Sequence, residues 1–530
     1  MNNDAKWPAG KSGCVLQKTD VVWTIALFAI ALVLRVPFRS QMAYHWDSAQ
    51  FALAINHYDI RVSQPHAPGY FLYVMLGRLV NSFVGDPHAS LVWISVVFGS
   101  ALPAVVYLLA TAMFGRKAGA TAGLLALTSP QVWFHSCVAL TYCVDSFLVC
   151  AMVLVLWRAM GRSGEWRDAI MVGALLAVIG GVRQQSALAL VPLVVFTFWR
   201  FKRGWAAKLT LAALVAIGLG VLWFVPMVRM SGGLKTYLVS VRLQAANASP
   251  RFPHSGLDGV LRNVANITGF CWNGLMLGAV VLVVALFYRR FRMAPEQKCS
   301  WDGQNSPGLI VLMFWIIPFM ILGTVVITNQ PGHVLSYLPG WFVLVGAVVA
   351  SLESTWRRTV VIAAICAVNV VAFAVWPSQW GGLFYGGTRN ARAIGEHDVQ
   401  LSQMVSAIRR SYSPRSIIVC FSAEYYLCGL RHFQLYLPEY EQYQFAVDGT
   451  TPHPLGKRMW LVREGHLEFV DRLDIAGAEG LVLVVPLGER VDIFSPYLSV
   501  VNAKTLIDGG SNLYFLAAEA VRSGRIDKSR

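Results

Sequence analysis

Charge is scarce in this 530-residue chain: 14% of its residues are Asp, Glu, Lys or Arg, while 56% are hydrophobic. Soluble proteins are nearer 25% charged, so the shortage argues against a cytosolic enzyme. The charge that is present leans positive, with 44 Lys and Arg against 28 Asp and Glu, a balance of +16. Those cations are not gathered as a nucleic-acid binder would need them. They fall in short clusters between apolar runs, the way a membrane protein displays its topology, and no nucleic-acid partner is expected. None of the nine cysteines forms a CxxC pair, so neither a zinc site nor a disulfide scaffold is indicated. No internal repeat is visible, which counts against transporter folds built from repeated halves.

Long apolar runs fill the first two thirds of the chain. A helix needs roughly 20 apolar residues to cross the hydrocarbon. Spans are predicted near 20–38, 90–113, 118–135, 140–157, 169–182, 186–199, 209–228, 271–287, 308–328, 334–352 and 359–376, about eleven in all. The first follows Lys6, Lys11 and Lys18 but has no small-residue cleavage site, so it reads as an anchor. With residues 1–19 in the cytoplasm, the inner loops carry Arg116-Lys117, then Arg158, Arg162 and Arg167. Next come Arg200, Lys202, Arg203 and Lys208, the cluster Arg289, Arg290, Arg292 and Lys298, and Arg357-Arg358. The hairpins near 136–145 and 329–333 carry no Lys or Arg, so every short loop obeys the positive-inside rule.

Three regions follow: a cytoplasmic N-terminus (1–19), a transmembrane module (20–376) with an outer juxtamembrane loop (39–89), and an outer tail (377–530). Within the tail, Ser416–Phe421 and Gly480–Pro486 are short apolar runs that read as buried strands, preceded by a polar helical stretch near 394–410. A small extracytoplasmic α/β domain is expected there. Cys420 and Cys428 both lie in it, either as a disulfide or as two buried thiols.

Candidate chemistry clusters at the outer ends of the predicted spans. Asp47 follows the first span. With Gln50 three positions on, it fits a capping box that opens an amphipathic helix; equally, a partly buried carboxylate at the membrane edge suits a general base. Beyond it, His66-Ala67-Pro68-Gly69-Tyr70 leads into an aromatic-rich stretch ending at Phe83, too short to span and placed along the interface. Asp145 opens the helix after the 136–146 hairpin and is either its cap or a second functional acid. Arg183 sits at the outer turn between two apolar spans, where a cation is costly unless paired or used. A salt bridge to Asp145, an interfacial snorkel or the binding of a lipid-linked phosphate would each explain it. His333 and Tyr337 open another outer hairpin, and Tyr70, Tyr73 and Tyr337 are either groove-lining residues or aromatics of the interface belt.

An acidic residue just after the first span, followed by a Pro-Gly-Tyr motif opening an interfacial helix, resembles the GT-C glycosyltransferases. The likeness is to the protein O-mannosyltransferase-like group and the lipid A aminoarabinose transferase. It rests on Asp47-Ser48 with Gln50-Phe51, His66 to Tyr70 with Leu72-Tyr73 and Leu76-Gly77-Arg78, and Phe114-Gly115-Arg116. Thr128-Ser129-Pro130, Asp145 and His333-Val334-Leu335-Ser336-Tyr337-Leu338-Pro339 extend it over roughly residues 20–350. The chain departs from the family at Ala67-Pro68, where a double proline is usual, and at Gln50, where a glutamate is frequent. Arg183 appears in place of a lysine of the aminoarabinose enzyme.

The resemblance implies a polytopic α-helical GT-C fold with a C-terminal extracytoplasmic α/β domain, in a bacterial inner membrane. It also implies a sugar donor on a polyprenyl phosphate and an acceptor that is a lipid, glycan or protein. Asp47, with Asp145, is then catalytic, and Arg183, His66, Tyr70, Tyr73, His333 and Tyr337 bind substrate. With Gln50 in place of the second acid and no Asp-x-Asp motif in the first loop, no metal is assigned, and a divalent cation stays an open option. The rival readings are a transporter or flippase of a polar lipid, which predicts functional charges near the bilayer midplane, and a non-catalytic scaffold, in which Asp47 and Arg183 are dispensable.

Overall fold

The computed structural model describes residues 17–162, 164–201, 203–248, 256–287, 307–325, 330–375, 389–420, 428–445, 459–463, 466–470, 477–486 and 511–517. Sixteen helices come first: α1 (Lys18–Arg35), α2 (Trp46–Asn56), α3 (Phe71–Val84), α4 (Pro87–Phe114), α5 (Arg116–Thr128), α6 (Pro130–Ser136), α7 (Tyr142–Gly161) and α8 (Trp166–Val182), then α9 (Gln184–Trp199), α10 (Trp205–Met230), α11 (Leu234–Ala248), α12 (Gly256–Leu275), α13 (Leu277–Phe287), α14 (Pro307–Val325), α15 (Leu338–Ala350) and α16 (Thr355–Ala374). Helix α4 is the longest and the hub, packing on α1, α3, α5 and α7. Its start is set locally: Pro87 occupies the first turn and the Asp86 carboxylate accepts the Ala89 amide at 2.7 Å.

Among the described residues, each of the eleven predicted apolar segments is helical over most of its length. Among the described residues, six helices are long and apolar enough to cross a membrane alone, and the pair α12–α13 makes a seventh if its bend is part of one span. Two segments differ from simple spans. The run 118–135 breaks at Ser129, whose hydroxyl donates to the Gly274 carbonyl at 2.7 Å, and Pro130 starts a new short helix. The run 271–287 is crossed by a 106° bend at Met276, a left-handed residue with φ 47°.

The bundle has two polar ends. At one, Asp20 of α1 is buried beneath Arg116 (2.8 Å) and the Tyr107 hydroxyl (2.8 Å), and Arg162 pairs with Asp168 at 2.6 Å. At the other lie Asp47, Asp145, Arg183 and His333. Small residues let the helices between them approach closely. A Cβ on Gly346 of α15 would sit 2.5 Å from the Ala118 carbonyl oxygen of α5, and one on Gly173 of α8 would sit 2.4 Å from that of Ala212 in α10.

The C-terminal domain has the expected α/β character. It contains α17 (Ala391–Ser411), α18 (Leu430–Tyr436) and six strands: β1 (Ile417–Cys420), β2 (Glu441–Phe445), β3 (Met459–Arg463), β4 (His466–Val470), β5 (Gly480–Pro486) and β6 (Ser511–Ala517). The sheet order is β4-β3-β2-β1-β5-β6, with β1 parallel to β2 and β5 and the outer pairs antiparallel. Burial on both faces explains why β1 and β5 are continuous apolar runs. Leu401, Met404 and Ile408 of α17 cover Ile418, Val482 and Val484. Each such side chain contributes roughly 1.5–3 kcal/mol by leaving water. Cys420 and Cys428 are not joined by a disulfide.

Because the Ala118 carbonyl is backbone and cannot swing away, Gly346→Val is expected to destabilise the bundle by about 1–3 kcal/mol. A lower midpoint on thermal unfolding in detergent is the readout; an unchanged midpoint would show that α5 and α15 are not in close contact.

Candidate functional site

The site is built at the bundle end where α2, α7, α9 and α15 begin. Helix α2 is capped by His45, whose Nδ1 accepts the Asp47 amide at 3.1 Å. The predicted capping box is therefore not formed. Asp47 lies inside the first turn, and Gln50 turns away to bond His66, Oε1 to Nδ1 at 2.8 Å. The Asp47 carboxylate is left 23% exposed and 3.6 Å from each of two histidines, Nδ1 of His45 and Nδ1 of His66.

Burial disfavours the charged form of both histidines. Burial pushes the His45 imidazole down to about 4, and its Nδ1 must be the bare nitrogen that accepts an amide. Burial also lowers His66, and its bonds fix the tautomer: Nδ1 donates to Gln50, while Nε2 accepts from the Tyr70 hydroxyl at 3.1 Å. Burial raises the Tyr70 phenol to about 12, so it stays protonated and donates. Among the described residues Asp47 has no Lys or Arg partner, and it is held at a helix N-terminus whose dipole favours negative charge.

Tyr70 takes up this position through an uncommon backbone. Its φ is +46°, at a cost of order 1–3 kcal/mol that the surroundings must overcome. Gly69 before it has φ +112°, and a Cβ there would lie 2.6 Å from the Tyr58 hydroxyl oxygen, so only glycine fits.

The second half of the site surrounds Arg183, in the extended residue between α8 and α9. It is 4% exposed, its Nη2 donates to His333 Nδ1 at 3.0 Å, and its guanidinium lies over the Tyr142 ring at 4.9 Å. Arginine only donates, so His333 Nδ1 must accept and the imidazole proton sits on Nε2. Burial and the adjacent guanidinium hold His333 well below its usual range, hence neutral. Among the described residues Arg183 has no ion pair, and its Nε and Nη1 have no hydrogen-bond partner.

The salt bridge to Asp145 that the sequence offered as one option is not made. Asp145 is fully buried, and its Oδ2 accepts from the Ser186 hydroxyl at 2.9 Å and the Ser336 hydroxyl at 2.5 Å, while Oδ1 is unpartnered. It acts on Arg183 as a nearby opposite charge, as Asp47 also does.

A pocket opens beside Arg183. It is lined by the polar side chains of Arg183, Gln185, Ser186, Gln330, His333 and Ser336 and by Ile267, Phe270, Phe319, Leu322, Val334 and Tyr337. The two halves meet at Tyr70, which bonds His66 on one side and the Gln185 side chain on the other. The structure therefore brings together Asp47, His66, Tyr70, Asp145, Arg183, His333 and Tyr337. Tyr73 stands apart: it is fully buried edge-on to Phe51, in the core behind α2. Among the described residues no group of three or more His, Cys, Asp or Glu side chains is placed to hold a metal ion.

Sequence reasoning missed four participants. His45, Gln330 and the His66-bonding role of Gln50 lie in polar stretches with no periodicity to mark them. Arg389 arrives from the start of the C-terminal domain, with Nη2 3.5 Å from Gln330 Oε1 and its guanidinium 5.8 Å from the Phe134 ring centre. A charge beyond the last span gave no signal that it returns to this end of the bundle.

Residues 65–229 match a family model described as dolichyl-phosphate-mannose-protein mannosyltransferase. That stretch holds His66, Tyr70, Asp145 and Arg183 and begins after Asp47. No curated protein matches the chain in sequence. In structure, the chain is similar to ArnT from Cupriavidus metallidurans bound to undecaprenyl phosphate, with a TM-score of 0.58, 12% identity, and 94% of this chain and 98% of that one covered. Its similarity to the apo state of the same protein gives 0.55, 14%, 95% and 99%. The chain is a multi-pass membrane protein with the GT-C fold that the motif resemblance implied.

Removing one donor to Asp145 leaves a buried carboxylate under-satisfied. Ser336→Ala is expected to destabilise the protein by about 1–3 kcal/mol, read as a lower thermal midpoint in detergent. Wild-type stability would mean that Asp145 draws nothing from that hydroxyl.

Proposed function

We propose that the chain is a membrane glycosyltransferase that moves a sugar from a polyprenyl-phosphate donor to a hydroxyl or amine of a lipid, glycan or protein. The proposed setting is the plasma (inner) membrane, with the site and C-terminal domain on the extracytoplasmic face. One observation carries the reading. A buried guanidinium with no carboxylate on it, two of its nitrogens unpartnered, lines a pocket together with the apolar side chains of Ile267, Phe270, Phe319, Leu322 and Val334. That is the shape and charge of a site for an isoprenoid chain ending in a phosphate.

The chemistry follows from the positions. The acceptor binds beside Asp47 and gives it a proton as its oxygen or nitrogen attacks the anomeric carbon. The bond from that carbon to the phosphate oxygen breaks on the opposite side, so the configuration inverts. The electron pair leaves with the polyprenyl phosphate, whose added charge is met by Arg183 and by the Nε2 proton of His333. His66 and Tyr70 hold the wall between acceptor and donor, and Tyr337 lines the donor side. Asp145 keeps an opposite charge near Arg183 and fixes Ser186 and Ser336 on the cavity wall. A flippase would place its working charges near the bilayer midplane, and these lie at one end of the bundle.

Membranes containing the wild type are expected to transfer radiolabelled sugar from at least one polyprenyl-phosphate sugar to endogenous acceptors. Asp47→Asn, present in equal amount, should lose about 10²–10⁴-fold of that rate. Full activity in Asp47→Asn would remove it as the base. No transfer by the wild type across a panel of such donors would overturn the reading.

A further inference from the structure

The stretch between α1 and α2 has no regular structure from Ser40 to Tyr44, yet it ends three residues before Asp47. The Ser40 amide bonds the Cys137 carbonyl of the bundle at 2.8 Å, and the next three amides are held by the C-terminal domain. One carboxylate of α17 takes two successive amides: Asp398 Oδ2 accepts from Gln41 at 2.7 Å and Oδ1 from Met42 at 2.9 Å. The next amide, Ala43, donates to the Tyr436 hydroxyl of α18 at 2.7 Å. Tyr44 then packs its ring 4.8 Å from that of His397, and Arg431 of α18 reaches the Val62 carbonyl beyond α2. Asp398 forms no ion pair among the described residues, and burial pushes its carboxyl up to about 6 although both oxygens accept amides. It is therefore half-buried for these two bonds and for no cation.

We infer that Asp398 and Tyr436 are positioning residues: they fix residues 41–43, and through them the N-terminal turn of α2, so that Asp47 points at the acceptor. The inference rests on the glycosyltransferase reading for what Asp47 does, but the grip itself is independent of it. The soluble domain is then part of the catalytic machinery in a mechanical sense, and not only a surface for choosing acceptors. Since a displacement of about 1 Å in a reacting group can lower a rate about 100-fold, three hydrogen bonds remote from the sugar are enough to matter.

The test uses the full chain in nanodiscs, as wild type, Asp398→Ala, and Tyr436→Phe, which removes a single hydroxyl and keeps the fold testable should the first variant fail to accumulate. Hydrogen exchange followed by mass spectrometry should show faster exchange at 41–43 that spreads to the first turn of α2, residues 46–49, by about tenfold or more. Binding of undecaprenyl phosphate should be unchanged. In the transfer assay kcat should fall about ten- to a hundredfold with KM for the donor unaltered. Unchanged exchange at 46–49 in both variants would overturn the inference, as would a wild-type kcat in both. If the wild type transfers nothing, the exchange result still decides whether the grip exists, so failure of the enzymatic reading and failure of this inference are told apart.

Discussion

An arginine kept charged at the edge of an apolar bundle, with no carboxylate laid against it, sets the terms for the rest of this molecule. Burying a guanidinium is expensive, and the usual remedy is a direct ion pair. Here the remedy is indirect. Arg183 donates one nitrogen to a neutral imidazole, lies over the face of Tyr142, and feels the charges of Asp145 and Asp47 without bonding either. The hydroxyls of Ser186 and Ser336 both engage Oδ2 of Asp145, and no bridge from that acid to the guanidinium is made. A direct Arg183–Asp145 bridge would leave little positive charge for a ligand; without one the cation stays available.

The same logic governs Asp47. Two histidines stand within 3.6 Å of it, and burial disfavours the charged form of each while each spends a nitrogen on another partner. The site thus holds one unneutralised anion and one unneutralised cation, separated by His66, Tyr70 and Gln185. That separation is what an in-line displacement needs, with a base on one side of the reacting carbon and a stabilised leaving group on the other. The irregular segment before α2 matters for the same reason. A side chain on a short helix is only as well aimed as the chain entering that helix, and here the entering chain is gripped by the C-terminal domain.

Much of this was legible in the sequence because membranes make sequence loud. Eleven apolar segments and the cation clusters between them gave the helices and the two ends of the bundle. Asp47, Asp145, Arg183 and His333 drew attention because polar groups beside apolar runs are costly. Their mutual arrangement was not legible. The cap of α2 went to His45 because its ring reaches the Asp47 amide, which no four-residue pattern foretells. The 106° bend at Met276 and the break at Ser129-Pro130 are tertiary choices inside apolar runs that read as continuous. In the soluble domain, β1 and β5 announced themselves by being buried on both faces, whereas β2, β3, β4 and β6 have mixed sequences such as EQYQF and HLEFV. Asp398 and Arg389 could not be found from sequence, since their partners at Gln41, Met42 and Gln330 are 357, 356 and 59 residues away.

The central claim is that Arg183 is the phosphate-binding head of a cavity for an isoprenoid chain. Photo-crosslinking with a diazirine-bearing polyprenyl phosphate measures this most directly. The account predicts labelling of the α12 and α14 peptides that carry Phe270 and Phe319, competed by undecaprenyl phosphate but not by the free alcohol, and lost in Arg183→Ala. Labelling that the alcohol competes equally, or that persists without the guanidinium, would contradict it.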